Sequence, residues 1–287
     1  MARKNERQRR QAREKYRRQQ ELRAARQRQL RKRWLTGTVA VLAAALIASL
    51  ALILPGGSPK KAAASPSKSP SASPTASATT VAEPAHHCSY SAATPTARKV
   101  SLPPTAPNYT ASYQATINTN LGKITFNLLN NKATCTVNSF VHLAEAGYFN
   151  HTQCHRLLTS GIYVLQCGDP YATATATLSC STTSKIGTGT PGYDFASENL
   201  TGAKYSTGTV AMANEGTAST NGSQFFIVYK DSTSGLTASY TPFATVSSGL
   251  GIVQNVAKDG YSCQYAQSGG GAPKKKVIID GVTIKKT

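Results

Sequence analysis

The chain has 287 residues and a formal net charge of +20, a balance that invites a nucleic-acid reading because a basic domain is the usual electrostatic footprint of one. The placement of the charge argues against nucleic acid: residues 1–33 hold 15 Lys/Arg against 3 Glu, residues 34–54 hold none, and residues 110–287 hold 12 basic against 8 acidic side chains. The part long enough to bury a core is only mildly basic, and its apolar, Gly-punctuated composition excludes a wholly disordered chain.

Residues 1–33 are rich in good helix formers, Arg, Gln, Ala and Glu, but have no apolar face to pack. They read as a solvated cytoplasmic tail that sets topology, with contact to anionic lipid headgroups as the sharper alternative. From Trp34 to Leu54 no residue is charged, and Pro55-Gly56-Gly57 ends the run. About 20 apolar residues at roughly 1.5 Å rise each cross a hydrocarbon core of about 30 Å. Trp34 beside Arg31-Lys32-Arg33 suits the membrane interface. A cleaved signal peptide has an apolar core of only about 7–15 residues, and Leu52-Ile53-Leu54-Pro55 is a poor cleavage site. An uncleaved signal anchor over 34–54 is therefore expected, with the tail cytoplasmic and everything after Pro55 exported.

Residues 55–108 are rich in Ser, Pro, Ala and Thr, as in Ser65-Pro66-Ser67-Lys68-Ser69-Pro70. Such a composition buries too little apolar surface to offset its ordering entropy, so it reads as a semi-extended linker. His86-His87-Cys88 within it lacks the further spaced ligands that a metal site needs.

From Tyr109 to Thr287 the pattern becomes globular. Residues 115–128 read as two alternating strands around a turn at Asn120-Leu121-Gly122. Thr136–Ala146 reads as a helix with Val137, Phe140, Val141 and Ala144 on one stripe, and Gly147 is placed to stop it. Short strands follow at Cys154–Leu158, Ile162–Gln166, Thr209–Ala213, Phe225–Tyr229 and Phe243–Val246. Leu250–Lys258 is a second helix, and Val277–Thr283 is a closing strand. Many short strands with two helices and no βαβ alternation suggest a mainly β fold, a closed barrel capped by helices.

Three segments carry chemistry: 155–169, 208–215 and 221–227. Arg156 stands on an apolar strand, where a bare charge is costly to bury and must find partners. Strand alternation turns Gln224 and Phe226 to one face, and separates Tyr163 from Val164. One wall can then hold an Arg, the two glutamines Gln166 and Gln224, and aromatic rings: a half-apolar, half-hydrogen-bonding groove that suits a peptide better than a phosphate. Read from the residues alone, a purely structural Arg–Gln network fits as well.

The segments His155-Arg156, Gln166-Cys167-Gly168-Asp169, Met212-Ala213-Asn214 and Asn221-Gly222-Ser223-Gln224-Phe225-Phe226, in that order, resemble the cyclophilins, the family of peptidyl-prolyl cis–trans isomerases. The resemblance spans about residues 112–285, and the overall plan resembles the membrane-anchored cyclophilins of actinobacteria. It implies an eight-stranded closed antiparallel barrel capped by two helices. It places the catalytic arginine at Arg156, with Gln166, Asn214 and Gln224 gripping the peptide. Tyr163, Val164, Phe226 and Leu236 would form the proline pocket, with Tyr240 where the family has its pocket His, while Ala213 and Glu215 would line the neighbouring strand. The implied partners are proline-containing peptides and unfolded polypeptides. No cofactor is expected, since amide rotation needs neither nucleophile nor base, and no ligand spacing fits a metal.

Three departures from the family pattern stand out. Two extra residues lengthen the hairpin around Thr159-Ser160-Gly161. The usual pocket Phe and Met appear as Tyr163 and Val164, and the pocket His as Tyr240. The Trp common near Leu236 is absent, which argues against tight cyclosporin binding. The competing function is a catalytically weak cyclophilin-like peptide-binding chaperone or scaffold. His155 reads as structural, His142 and His151 as surface and loop residues, and Met212 as core. Six cysteines suit an exported, oxidising setting and allow fifteen pairings, with Cys154 and Cys167 on adjacent strands.

Overall fold

The computed structural model describes residues 87–287 apart from 95, 182 and 266–268; the basic tail, the expected anchor at 34–54 and most of the linker lie outside the described residues. Among the described residues no helix is long and apolar enough to cross a membrane. In chain order the elements are β1 (Ser91–Ala92), β2 (Tyr113–Thr119), β3 (Gly122–Leu128), α1 (Thr134–Glu145), β4 (Thr152–Gln153), β5 (Arg156–Ser160), β6 (Ile162–Cys167), β7 (Tyr193–Asp194), β8 (Thr209–Met212), β9 (Phe225–Val228), β10 (Pro242–Ser248), α2 (Leu250–Asp259) and β11 (Ile278–Lys286).

Period-two alternation turns each strand's apolar set to one side, and the strands join antiparallel in the order β4-β11-β2-β3-β10-β8-β9-β6-β5. The first and last of these, β4 and β5, are separated only by Cys154 and His155. One stretch of chain, 152–160, therefore pairs with β11 through its first half and with β6 through its second. The sheet wraps back on itself, and counting that stretch once leaves the eight strands expected. Gly122, at φ 120°, makes the tight turn between β2 and β3.

The interior is filled by Ile117, Ile124, Phe126, Leu157, Leu165, Phe225, Ile227 and Phe243, all nearly inaccessible. Phe140 of α1 meets the rings of Phe149, Phe225 and Phe243 at 5.3, 5.7 and 5.2 Å between centroids, and Val253 and Val256 of α2 join the same core. The stripe of α1 is turned slightly from the expected one. Thr136, Ser139 and Leu143 are buried with Val137, Phe140 and Ala144, which leaves Val141 half-buried at the rim. The cause is hydrogen bonding: the Ser139 hydroxyl pairs with the Tyr193 hydroxyl at 2.8 Å, and Thr136 bonds Glu198. Gly147 ends the helix at φ 64°, a left-handed conformation that glycine adopts without steric penalty.

The expected boundary at residue 108 is corrected. Residues from Cys88 onward belong to the folded unit: Cys88 is disulfide-bonded to Cys135, β1 pairs with β7, the Tyr90 hydroxyl donates to the Cys135 carbonyl, and Arg98 donates to the carbonyls of Tyr148 and Asn150. Composition misses this segment because covalent and polar contacts hold it, rather than a run of apolar side chains. The other disulfides are Cys154–Cys167 and Cys180–Cys263. Cys88 is thus no thiolate ligand, and no group of three or more His, Cys, Asp or Glu among the described residues is placed to hold a metal.

Candidate active site

Antiparallel register assembles the site. Arg156 lies opposite Gln166 across β5 and β6, Gln166 opposite Phe226 across β6 and β9, and Phe226 opposite Ala211 across β9 and β8. Because alternate side chains face opposite ways, Leu157, Leu165, Phe225 and Ile227 fill the barrel, while Leu158, Val164, Phe226 and Val228 face outward. With Tyr205 and Ala211 these outward residues make a second, smaller apolar cluster. It forms the floor of the site.

On that floor lies a pocket of about 130 Å³. Its apolar side is Ile162, Val164, Phe226 and Leu236, and its polar rim is Arg156, Gln166, Asn214 and Tyr240, with Ala213 between. The Tyr240 ring stands edge-on to Phe226 at 5.5 Å. It is held there by Tyr205, whose hydroxyl donates to the Tyr240 carbonyl at 2.8 Å and accepts from its N–H at 3.0 Å. The Asn214 side chain is engaged within the loop, donating to the Ser239 carbonyl and accepting from the Gly216 N–H, so any grip on a peptide falls to its backbone.

Arg156 has the partners that its position demands. Its Nε donates to the Gly269 carbonyl and its Nη1 to Gln166 Oε1, each at 3.0 Å. Gln166 Nε2 donates in turn to Gln224 Oε1 at 2.9 Å, and Gln224 Nε2 to the carbonyls of Gly187 and Gly189, both at 3.1 Å. Burial lowers the guanidinium pKa, while the neighbouring Tyr240 and Tyr265 act the other way; an arginine nevertheless stays charged near neutrality. His155, next in sequence, turns the opposite way. It is 1% exposed, and burial, reinforced by the charge of Arg156, lowers its pKa to about 3. A neutral imidazole shut away from the pocket is no general base.

A second pocket, about 80 Å³, adjoins the first across the ridge of Gln166, Ala213 and Asn214. Glu215, Gln224, Thr188 and Asp194 line it, so two carboxylates face it.

Ten of the eleven residues expected at the site line one or other pocket. Tyr163 is the exception and a correction. It stands on the other face of β6, its ring 6.0 Å from Tyr229 and capped by the Lys230 ammonium at 4.4 Å. The longer hairpin brings Ile162 into the pocket instead. Counting back in twos from Gln166 through Val164 reaches Ile162, so alternation carried that signal. Asp194 and the Gly187–Thr190 loop had no such signal, because tertiary folding alone brings them to the site.

Set beside known proteins, the chain matches the family model described as cyclophilin type peptidyl-prolyl cis-trans isomerase/CLD over residues 114–284. It is 40% identical over 217 residues to the probable peptidyl-prolyl cis-trans isomerase B of Mycobacterium leprae (strain TN), covering 69% of this chain and 66% of that protein. The protein of the same description from Mycobacterium tuberculosis (strain ATCC 25618 / H37Rv) is also 40% identical, with 64% of its length covered. The chain thus spans a little under two thirds of these relatives. Among solved structures it is similar to a Cryptosporidium parvum cyclophilin type peptidyl-prolyl cis-trans isomerase, with a TM-score of 0.50 and 25% identity, covering 61% of this chain and 99% of that one.

Proposed function

This chain belongs to the cyclophilin-type peptidyl-prolyl cis–trans isomerase family, and from that premise we propose that its outward-facing pocket isomerises X–Pro bonds and so assists the folding of exported polypeptides. The observation that carries the reading is Arg156, held by two acceptors at the rim of an apolar cup. Rotation about an amide crosses a barrier of about 18–20 kcal/mol because it breaks resonance. As the bond twists, the prolyl nitrogen regains a lone pair, and a guanidinium already in place donates to it. That interaction exists only near the transition state, which is where binding accelerates a reaction. Ile162, Val164, Phe226 and Leu236 hold the ring, while Gln166 and the Asn214 backbone hold the chain, so one side turns against a clamp. The residues preceding proline extend over the ridge into the second pocket, where Asp194 and Glu215 favour a basic side chain.

The test follows cis-to-trans conversion of short X–Pro peptides carrying Lys or Glu ahead of the bond. Arg156→Ala is expected to lower the catalysed rate about 10²–10³-fold, the effect of losing a preorganised donor, and the Lys peptide is expected to react faster than the Glu peptide. Equal rates for parent and Arg156→Ala would remove the mechanism. Peptide affinity without rate enhancement would select the chaperone or scaffold reading, which the replaced pocket residues Ile162 and Tyr240 favour.

The proposal extends to topology: residues 34–54 anchor the chain, residues 1–33 stay in the cytoplasm against anionic lipid, and the barrel is exported, where three disulfides suit an oxidising compartment. A reporter fused after Thr287 should be active outside the cytoplasm and sediment with membranes. Activity inside the cytoplasm would reverse the assignment.

A further inference from the structure

We propose that Asp169, which lines neither pocket, is a positioning residue: it holds the Gly187–Gly189 loop as the far end of a one-way hydrogen-bond chain that orients Arg156. The inference rests on the role given to Arg156 above. Asp169 follows β6 and is fully buried. Its carboxylate accepts the N–H of Tyr171 at 2.8 Å and that of Gly187, and the N–H of Gly189 is a third backbone donor to it. These bonds make an otherwise costly buried carboxylate tenable, and they leave the carbonyls of Gly187 and Gly189 directed at Gln224.

The direction of the chain follows from donor chemistry. A guanidinium only donates, so Gln166 must turn its Oε1 to Arg156. That leaves Gln166 Nε2 to donate to Gln224, which accepts with Oε1 and therefore has only its own Nε2 to offer onward. The far end must then be acceptors, and the two loop carbonyls supply them. Were the loop to turn, Gln224 would lose both acceptors. An amide flip there would set its NH2 against the NH2 of Gln166, and Arg156 would lose Gln166 Oε1 as an acceptor. The loop has no slack for an alternative seat. A Cβ on Gly189 would lie 2.1 Å from Asp169 Oδ1 and 2.8 Å from Pro170 Cδ, and Gly187 sits at φ +95°.

The experiment disturbs the same contact from its two sides in the full chain, with Asp169→Asn, which replaces an acceptor by a donor, and Gly189→Ala, which pushes the loop off. Three quantities are read: the NMR resonance of the Arg156 Nε–H, assigned by its loss in Arg156→Lys, and kcat and KM for X–Pro isomerisation. The expected result is a shifted or broadened Nε–H signal with kcat reduced about tenfold and KM within twofold. A parental Nε–H signal and parental kcat in whichever variant folds, even with a lowered melting temperature, would make Asp169 merely structural and overturn the proposal. If the parent itself shows no isomerisation, the catalytic reading fails, while the Nε–H signal still decides the positioning role.

Discussion

His155 and Arg156 are consecutive residues with opposite fates, because a strand sends them to opposite faces. Arg156 reaches two acceptors and a pocket, whereas neither ring nitrogen of His155 has a hydrogen-bond partner. The imidazole pKa falls to about 3 from an ordinary 6.5. Below pH 6.5 the unfolded chain therefore binds a proton that the folded chain refuses. Stability should fall as pH drops from about 6.5 toward 3, with this residue alone removing about 2 kcal/mol by pH 5. Urea unfolding midpoints measured between pH 5 and 8 check this: His155→Leu is expected to flatten the slope relative to the parent. A slope unchanged by the substitution would mean that the acid sensitivity comes from other groups. That Arg156 would be held by partners was legible in the sequence, since a lone cation on an apolar strand demands them. The identity of its partner at the Gly269 carbonyl was not, because that residue lies 113 positions away.

Helix α1 shows how an element depends on groups that its own sequence lacks. Its N-cap is Ala133, which has no side-chain acceptor. The N–H groups of the first turn, which have no partner within the helix, are satisfied from afar: Glu198 accepts from the N–H of Cys135 at 3.1 Å and of Thr136 at 2.7 Å, and from the Thr136 hydroxyl at 2.7 Å. A carboxylate there also meets the positive end of the helix dipole. Glu198→Ala should lower stability by about 1–2 kcal/mol, read as a shift in the denaturant midpoint, and Glu198→Gln should recover part of it. An unshifted midpoint would show that water replaces the carboxylate at no cost. The existence of α1, the hairpin of β2 and β3, and the strands that carry Gln166 and Phe226 were all legible, because their periods are local. The turned stripe of α1 was not, because buried Thr136 and Ser139 count as polar until Glu198 and Tyr193 are seen beside them.

At the scale of the molecule, covalent links define the folded unit. The bond between Cys88 and Cys135 closes a separation of 47 residues and ties the segment before β2 to α1. Replacing both cysteines by serine should cost about 2–4 kcal/mol. It should also open residues 89–108 to limited proteolysis while the barrel stays resistant. Proteolysis of the parent at the same sites and rate would mean that the hydrogen bonds of Tyr90 and Arg98 hold the segment without the disulfide.

The sequence alone determined the mainly β class, the alternation that sorts barrel interior from pocket floor, the ordered motifs that mark the family, and the concentration of charge in the first 33 residues. These are properties of neighbouring residues, and short-range sterics and periodicity express them directly. Only the tertiary structure decided the pairing of six cysteines, the acidic second pocket, and the path from Asp169 through Gln224 and Gln166 to Arg156. Each of these joins residues distant in the chain. Their meeting depends on how the sheet closes and where its loops land, which no local pattern of side chains encodes.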